Sequence, residues 1–315
     1  MRIVHLLLLV TLVLSSVDLA SAQDSQPNAK QKKSIAKQYP PTLKGADDKI
    51  YKTIGDVKLG MYLYYPENHT SKDKSPAIVF FFGGGWRGGS VAQFEKQAKY
   101  FASRGMVAGI ADYRVLSRHQ TKAIQCVADA KSAIRWVRSN ADKLGVDPQR
   151  IVASGGSAGG HIAACTGVVS GMEEQGEDTA ISSKPNALVL FNPAMVLAPI
   201  DGKNILEDRM KTMIDRVGDE PVKISPYHHV KSGQPPSIIF FGTDDKLLLG
   251  ADFFATAAKQ VGNRCELLTW EGERHGFFNY GRAKNKPYTE TVHAADKFLA
   301  SLGYLDGEPT IEIPE

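Results

Sequence analysis

The sequence predicts an α/β domain in which a mostly parallel sheet is covered by helices on both faces. Three observations predict it. The runs Ile78–Phe82, Met106–Ala111, Ala187–Phe191 and Ser237–Phe241 are apolar almost throughout, as strands buried on both faces must be. They alternate with longer stretches of helical periodicity, the pattern of strand–helix–strand units. Glycine clusters follow two strands directly, at Gly83-Gly84-Gly85 and Gly155-Gly156, and the ligand sites of such sheets lie beyond the carboxyl ends of the strands.

Taken in order, Met1–Ala22 has Arg2, the apolar run Leu6–Leu14 and then Ala20-Ser21-Ala22, which reads as a secretory signal peptide, with an uncleaved anchor as the alternative, and places the mature chain outside the cytoplasm, secreted or periplasmic. The apolar run is shorter than the roughly 20 residues a membrane span needs, so no stable membrane insertion is expected. Residues 23–49 read as a polar linker, residues 50–305 as one catalytic domain and residues 306–315 as a loose tail. Val57–Tyr65 is expected as an outer antiparallel strand, and the turn Pro66–Pro76 separates it from the buried strand Ala77–Phe82. A helix is expected over Gln93–Arg104 and a strand over Met106–Ala111. In the long stretch Thr121–Leu144, residues Ala123, Val127, Ala130, Ile134 and Val137 recur at spacings of three and four, one face of a helix. Gly145 stops that helix, Asp147-Pro148 turns the chain, and a strand starts at Ile151. A further helix starts at Ser157. Residues 194–234 lose periodicity and read as an insertion, a rim or partial lid. The helix Ala251–Val261, the strand Arg264–Trp270 and the helix Thr289–Leu302 close the domain.

The net charge of the 315-residue chain is +4. Much of the excess lies in Lys30-Gln31-Lys32-Lys33 and Lys37, a solvated segment with no interleaved aromatics, so nucleic acid is not an expected partner. Cys126, Cys165 and Cys265 lack the spacing of a zinc site. Neither a metal nor a cofactor is expected. At most one disulfide can form, and the pair is open, as is the oligomeric state. Asn68-His69-Thr70 is a formal glycosylation sequon.

The chemistry centres on Gly155-Gly156-Ser157-Ala158-Gly159. A sharp strand-to-helix turn with small neighbours two positions away presents one hydroxyl at a helix N-terminus. A serine hydroxyl needs a base beside it. His275 stands in the Gly-flanked loop after the strand ending at Trp270. Among the other histidines, His161 reads as bracing the elbow, while His228 and His229 could touch substrate. Asp244 and Asp245 follow Phe241-Gly242-Thr243. Asp245 is assigned as the acid that orients the imidazole, with Asp244 as the alternative. For the oxyanion, the backbone N–H of Ala158 and the glycines after the second strand are candidate donors. Trp86 and Phe277 are candidate substrate contacts on the acyl side, with core packing as the alternative for either.

With the order Ser157, Asp245, His275, the Ala-Ile-Arg-Trp-Val-Arg run at residues 133–138, the Gly-Val-Asp-Pro turn and the Gly-Gly-Ser-Ala-Gly-Gly-His elbow, the chain resembles the α/β-hydrolase esterase/lipase family. It is most similar to the secreted branch that includes acetylxylan and feruloyl esterases, over about residues 50–302. The resemblance implies the α/β-hydrolase fold and a serine carboxylesterase without cofactor. Its substrate would be a small ester or an acylated carbohydrate. It also implies that Ser157 is nucleophile, Asp245 acid and His275 base, with Gly84, Gly85 and Ala158 as oxyanion donors. One departure stands out: Phe82 occupies the position where the family carries a histidine that stiffens the oxyanion loop. A prolyl-peptidase-type exopeptidase shares the fold and residue order but normally carries an extra propeller. A non-catalytic binding protein would normally have lost one of the three residues.

Overall fold

Phe80 and Phe81 are fully buried at the carboxyl end of strand β3 (Ser75–Phe81), and the strand order around them fixes where the chemistry lies. The structure is a computed structural model describing residues 39–201, 213, 215–218 and 220–313. The signal-peptide reading and most of the linker lie outside the described residues, as does part of the 194–234 insertion.

The strands are β1 (Asp47–Ile54), β2 (Val57–Tyr64), β3, β4 (Val107–Ala111), β5 (Val146–Gly156), β6 (Ala187–Phe191), β7 (Ser237–Gly242) and β8 (Cys265–Trp270). The described residues form an eight-stranded sheet of order β1-β2-β4-β3-β5-β6-β7-β8. β2 pairs antiparallel with β1 and with β4, and every other neighbour is parallel. The longer helices among the described residues are α1 (Glu95–Ser103), α2 (Ala123–Ser139), α3 (Ala158–Val168), α4 (Leu248–Gln260) and α5 (Lys286–Ser301). From β3 the chain steps one way to β4, then crosses back to β5 and continues the other way. Right-handed crossovers therefore put α1 on one face and α2, α3 and α4 on the other. α5 joins α1, where Asp296 accepts from Tyr100 Oη at 2.5 Å and from Arg104 Nε at 2.7 Å. The reversal lies between β3 and β5, so a crevice opens at their carboxyl ends, the usual ligand site of such sheets.

β1 was not expected. It begins at Asp47, inside the segment read as linker, and Leu43 before it is buried. Its burial does not alternate, because exposed Lys49 and Ile50 are followed by buried Tyr51 and Lys52. The other end of the domain also runs on past its expected boundary. Arg104 Nη2 donates to the carbonyls of Asp306 and Gly307 at 3.0 and 3.1 Å, and Ile311 packs on the core.

The long helix expected over Thr121–Leu144 is split. α2 ends at Ser139, Asn140 leaves helical geometry, and Ala141–Leu144 makes a separate turn. Gly145 ends that turn at φ +63, where a Cβ would lie 2.2 Å from the Thr70 carbonyl. Only glycine fits. The five apolar positions of α2 are buried, and so are its charged residues Asp129, Lys131 and Arg135. Asp129 accepts from Lys52 Nζ at 2.7 Å and Arg114 Nη2 at 2.8 Å, and Glu174 meets the same two cations at 2.9 and 2.5 Å. Lys131 pairs with Glu173 at 3.1 Å and Arg135 with Glu177. This network pins the irregular segment 170–183 to α2 and β1.

All three cysteines are free and buried, so no disulfide forms among them. Burial pushes the Cys126 and Cys165 thiols well above their ordinary range.

Candidate active site

Ser157 follows β5 directly and caps α3 with φ 55 and ψ −117, a conformation that residues with a side chain rarely hold. Its neighbours make the turn possible. A Cβ on Gly155 would lie 2.5 Å from the Gly159 carbonyl, and one on Gly159 would lie 2.1 Å from the Phe81 carbonyl. Both positions therefore demand glycine, and the elbow can press against the end of β3. The Ser157 N–H donates to the Phe191 carbonyl at 2.8 Å, which carries the pairing of β5 with β6 one residue beyond the strand.

Three elements meet at the serine. The loop after β8 brings His275, whose Nε2 accepts from Ser157 Oγ at 2.9 Å. The loop after β7 brings Asp245, whose Oδ2 accepts from His275 Nδ1–H at 2.6 Å. Asp245 is buried and its other oxygen accepts from the Leu247 N–H at 2.9 Å, so its orientation is fixed by its own loop. Asp244, the alternative acid, is exposed at the rim. An acceptor on Nδ1–H leaves Nε2 as the basic nitrogen facing the hydroxyl, the arrangement that lets a serine shed its proton as it attacks.

The glycine loop after β3 lies against the same serine. Gly84, Gly85 and Trp86 follow one another at φ +133, +62 and +60. A Cβ on Gly84 would lie 2.3 Å from the Gly88 carbonyl. Gly85 and Ala158 line one cleft with Ser157, and Gly84 and Gly85 line a second. Among the described residues the N–H groups of Gly84 and Gly85 have no hydrogen-bond partner, as donors kept for a ligand would require. Phe82 stiffens this loop by packing. Its ring stacks on Tyr113 with centroids 4.2 Å apart, and Tyr113 Oη donates to its carbonyl at 2.6 Å.

The first cleft, about 370 Å³, is lined by Trp86, Ala194, Met213, Arg216 and Leu247 beside the reacting groups. Trp86 is almost wholly buried, and its Nε1–H donates to His161 Nδ1 at 3.2 Å. His161 Nε2–H donates to the Ile224 carbonyl at 2.6 Å. Burial pushes the His161 pKa down to about 4, so the ring stays neutral and accepts from the indole. Its bracing role extends to the tryptophan of the cleft wall. The Arg216 guanidinium lies 5.9 Å from the Trp86 ring centroid. The second cleft, about 690 Å³, is lined by Ser90, Gln93, Phe278, Asn279 and Arg282.

Two expectations fail. Phe277 lines neither cleft. It is core, packed on Trp270 with ring centroids 5.4 Å apart, and the aromatic at the cleft is its neighbour Phe278. One step along a loop reverses the direction of a side chain, and composition does not reveal which of two phenylalanines faces inward. His228 and His229 are spent on the insertion itself, against Ser225 Oγ, the Pro199 carbonyl and the Val222 carbonyl. The insertion does contribute Met213 and Arg216 to the cleft wall, and no periodicity could have singled these out. Gln93 and Asn279 were missed because a glutamine at a helix start and an asparagine in a loop carry no motif.

The BD-FAE family model matches residues 61–251, which hold the glycine loop, the elbow and Asp245. Esterase 2 of Thermogutta terrifontis is 53% identical, with a TM-score of 0.82 over 86% of this chain and 99% of that one. That esterase has also been solved phosphonylated by sarin and with propionate or butyrate bound. A probable isoprenylcysteine alpha-carbonyl methylesterase of Arabidopsis thaliana is 29% identical over 68% of this chain and 47% of its own length. Esterase LipC of Mycobacterium tuberculosis is 28% identical over 71% of this chain and 58% of its own. The chain thus spans about half the length of these two curated relatives.

Proposed function

The chain belongs to the BD-FAE family and has the α/β-hydrolase fold, and from that premise we propose that it is a serine carboxylic ester hydrolase for short acyl groups. One observation carries the reading: Ser157 Oγ, the His275 ring and Asp245 Oδ2 stand in line at 2.9 and 2.6 Å.

The reaction follows from that line. As Ser157 Oγ attacks the ester carbonyl carbon, His275 Nε2 takes its proton, and Asp245 stabilises the imidazolium. The carbonyl oxygen becomes an oxyanion held by the N–H of Ala158 and those of Gly84 and Gly85, each worth about 3 kcal/mol in the transition state. The C–O bond breaks, the alcohol leaves with the proton from Nε2, and an acyl group stays on Ser157. Water, deprotonated by the same nitrogen, releases the acid and restores the serine.

The size of the acyl group is set by the smaller cleft, where Trp86, Ala194, Met213 and Leu247 make an apolar wall. The propionate and butyrate bound by the Thermogutta esterase support acyl chains of that length. On the alcohol side, the hydrogen-bonding side chains of Ser90, Asn279 and Arg282 in the larger cleft support a hydroxyl-rich leaving group such as an acetylated or feruloylated carbohydrate. The Leu6–Leu14 run and Ala20-Ser21-Ala22 support export of the chain.

The test is turnover of p-nitrophenyl acetate through hexanoate, together with labelling by a fluorophosphonate. The wild type is expected to release p-nitrophenol and to take up one label per chain. Ser157→Ala is expected to do neither, and unchanged turnover in that variant would remove the assignment.

A further inference from the structure

Gln93 belongs to the turn Val91–Phe94 that precedes α1, and Ser90 Oγ caps that turn by accepting from the Ala92 N–H. Neither residue adjoins Ser157 in sequence, yet the Gln93 amide reaches both loops that serve it. Its Oε1 accepts from the Gly83 N–H at 2.6 Å, at the start of the glycine loop. Its Nε2 donates to Asn279 Oδ1 at 2.8 Å. Asn279 Nδ2 then donates to the Gly276 carbonyl at 2.8 Å, immediately after His275. On its other side the Gly276 N–H donates to Asn192 Oδ1 at 3.1 Å.

The chain of bonds admits one direction only. The Gly276 carbonyl can only accept, so Asn279 must turn its NH₂ toward it and its oxygen toward Gln93. Gln93 must then present its NH₂ to Asn279 and its oxygen to the Gly83 N–H, which can only donate. Reversing either amide would set donor against donor or acceptor against acceptor. Both side chains are half-buried and line the cleft that also contains Ser157. Bonds at such a site are partly shielded from competing water and are stronger for it.

We propose that Gln93 and Asn279 are positioning residues. They hold the oxyanion loop and the histidine loop at one separation, so that donors and base reach the same acyl carbon together. This rests on the serine-esterase reading of the site. Gly83 stands one and two residues before the donors Gly84 and Gly85, and Gly276 stands one residue after the base. A tie between those two glycines therefore fixes the spacing of oxyanion and proton acceptor, whose misplacement by about 1 Å can cost about 100-fold in rate.

The test is steady-state kinetics on p-nitrophenyl butyrate for Gln93→Ala, Asn279→Ala and the double variant, with thermal midpoints measured alongside. Each single change is expected to lower kcat about 10- to 100-fold with KM within about threefold. The double variant is expected to fall no more than about threefold below the weaker single, because a tie broken once cannot be broken again. Gln93→Glu keeps the acceptor for Gly83 and removes the donor to Asn279; it is expected to show the same loss of kcat, about 10- to 100-fold, and it replaces Gln93→Ala if that variant fails to fold. Unchanged kcat in the singles, or a double loss equal to the product of the single losses, would overturn the tie. So would kcat losses that follow the thermal midpoints. Wild-type turnover that Ser157→Ala abolishes secures the esterase reading separately, and a wild type inert toward every ester overturns reading and tie together.

Discussion

At the scale of single residues, steric exclusion and hydrogen-bond direction decide the site. Gly159 cannot take a side chain while β3 keeps its place, because a Cβ would lie 2.1 Å from the Phe81 carbonyl. Gly159→Ala is therefore expected to destabilise the fold by at least about 2 kcal/mol, measurable by urea unfolding. His275 has a different signature. His275→Asn removes the base while the glycine loop and elbow remain, so kcat is expected to fall about 10⁴-fold with the thermal midpoint little changed. Ser157, Asp245 and His275 were legible because each follows a strand at the same edge of the sheet, and the elbow glycines announce the first. Phe277 was misread because strand logic stops at Trp270, and beyond it nothing in the sequence says which way a ring points.

At the scale of elements, α2 shows how a helix can hide its partners. Its apolar spacing is legible, yet its charged face is buried as well, because Lys52, Arg114 and the 170–183 segment cover it with opposite charges. Those partners come from β1 and from loops, so no window of sequence contains the pair. Asp129 has no exposed surface, and Asp129→Ala would leave Lys52 and Arg114 with only the partly exposed Glu174 and, for Lys52, Glu177 at 4.0 Å. A loss of about 3–5 kcal/mol is expected, to be checked by chemical unfolding. The cations beside Glu173 and Glu174 hold both carboxyls below their ordinary range. A folded pKa below the unfolded value means that their stabilisation is present at neutral pH and is lost as pH falls below the ordinary carboxylate range. β1 escaped notice for a related reason: its buried Lys52 reads as a surface residue until Asp129 is beside it.

At the scale of the whole molecule, the parallel centre of the sheet was readable from its apolar runs, and the reversal between β3 and β5 brings the glycine loop and Ser157 together. The walls of the clefts were not readable, since they come from insertion, turn and loop residues with no shared period. One further titration acts on the molecule as a whole. His161 is buried and neutral, with its pKa lowered to about 4 from an ordinary value of 6.5. The unfolded chain takes up this proton first as pH falls, so stability declines from about pH 6.5 and levels off below about 4. Thermal midpoints measured from pH 7 to pH 4 are expected to fall through that window, ahead of the loss from Glu173 and Glu174. The slope is expected to flatten in His161→Gln.

The bond from the Ser157 amide to the Phe191 carbonyl has a consequence for the order in which the machinery comes apart. Amide hydrogens of a central sheet exchange with solvent only when the whole domain opens, whereas those of surface loops exchange through small local excursions. Ser157 belongs to the first group, and His275, half exposed on its loop, to the second. Warming should therefore release the base while the serine still stands in its folded frame. Enzyme that has lost activity in this way should regain it on cooling, provided that the sheet has not opened.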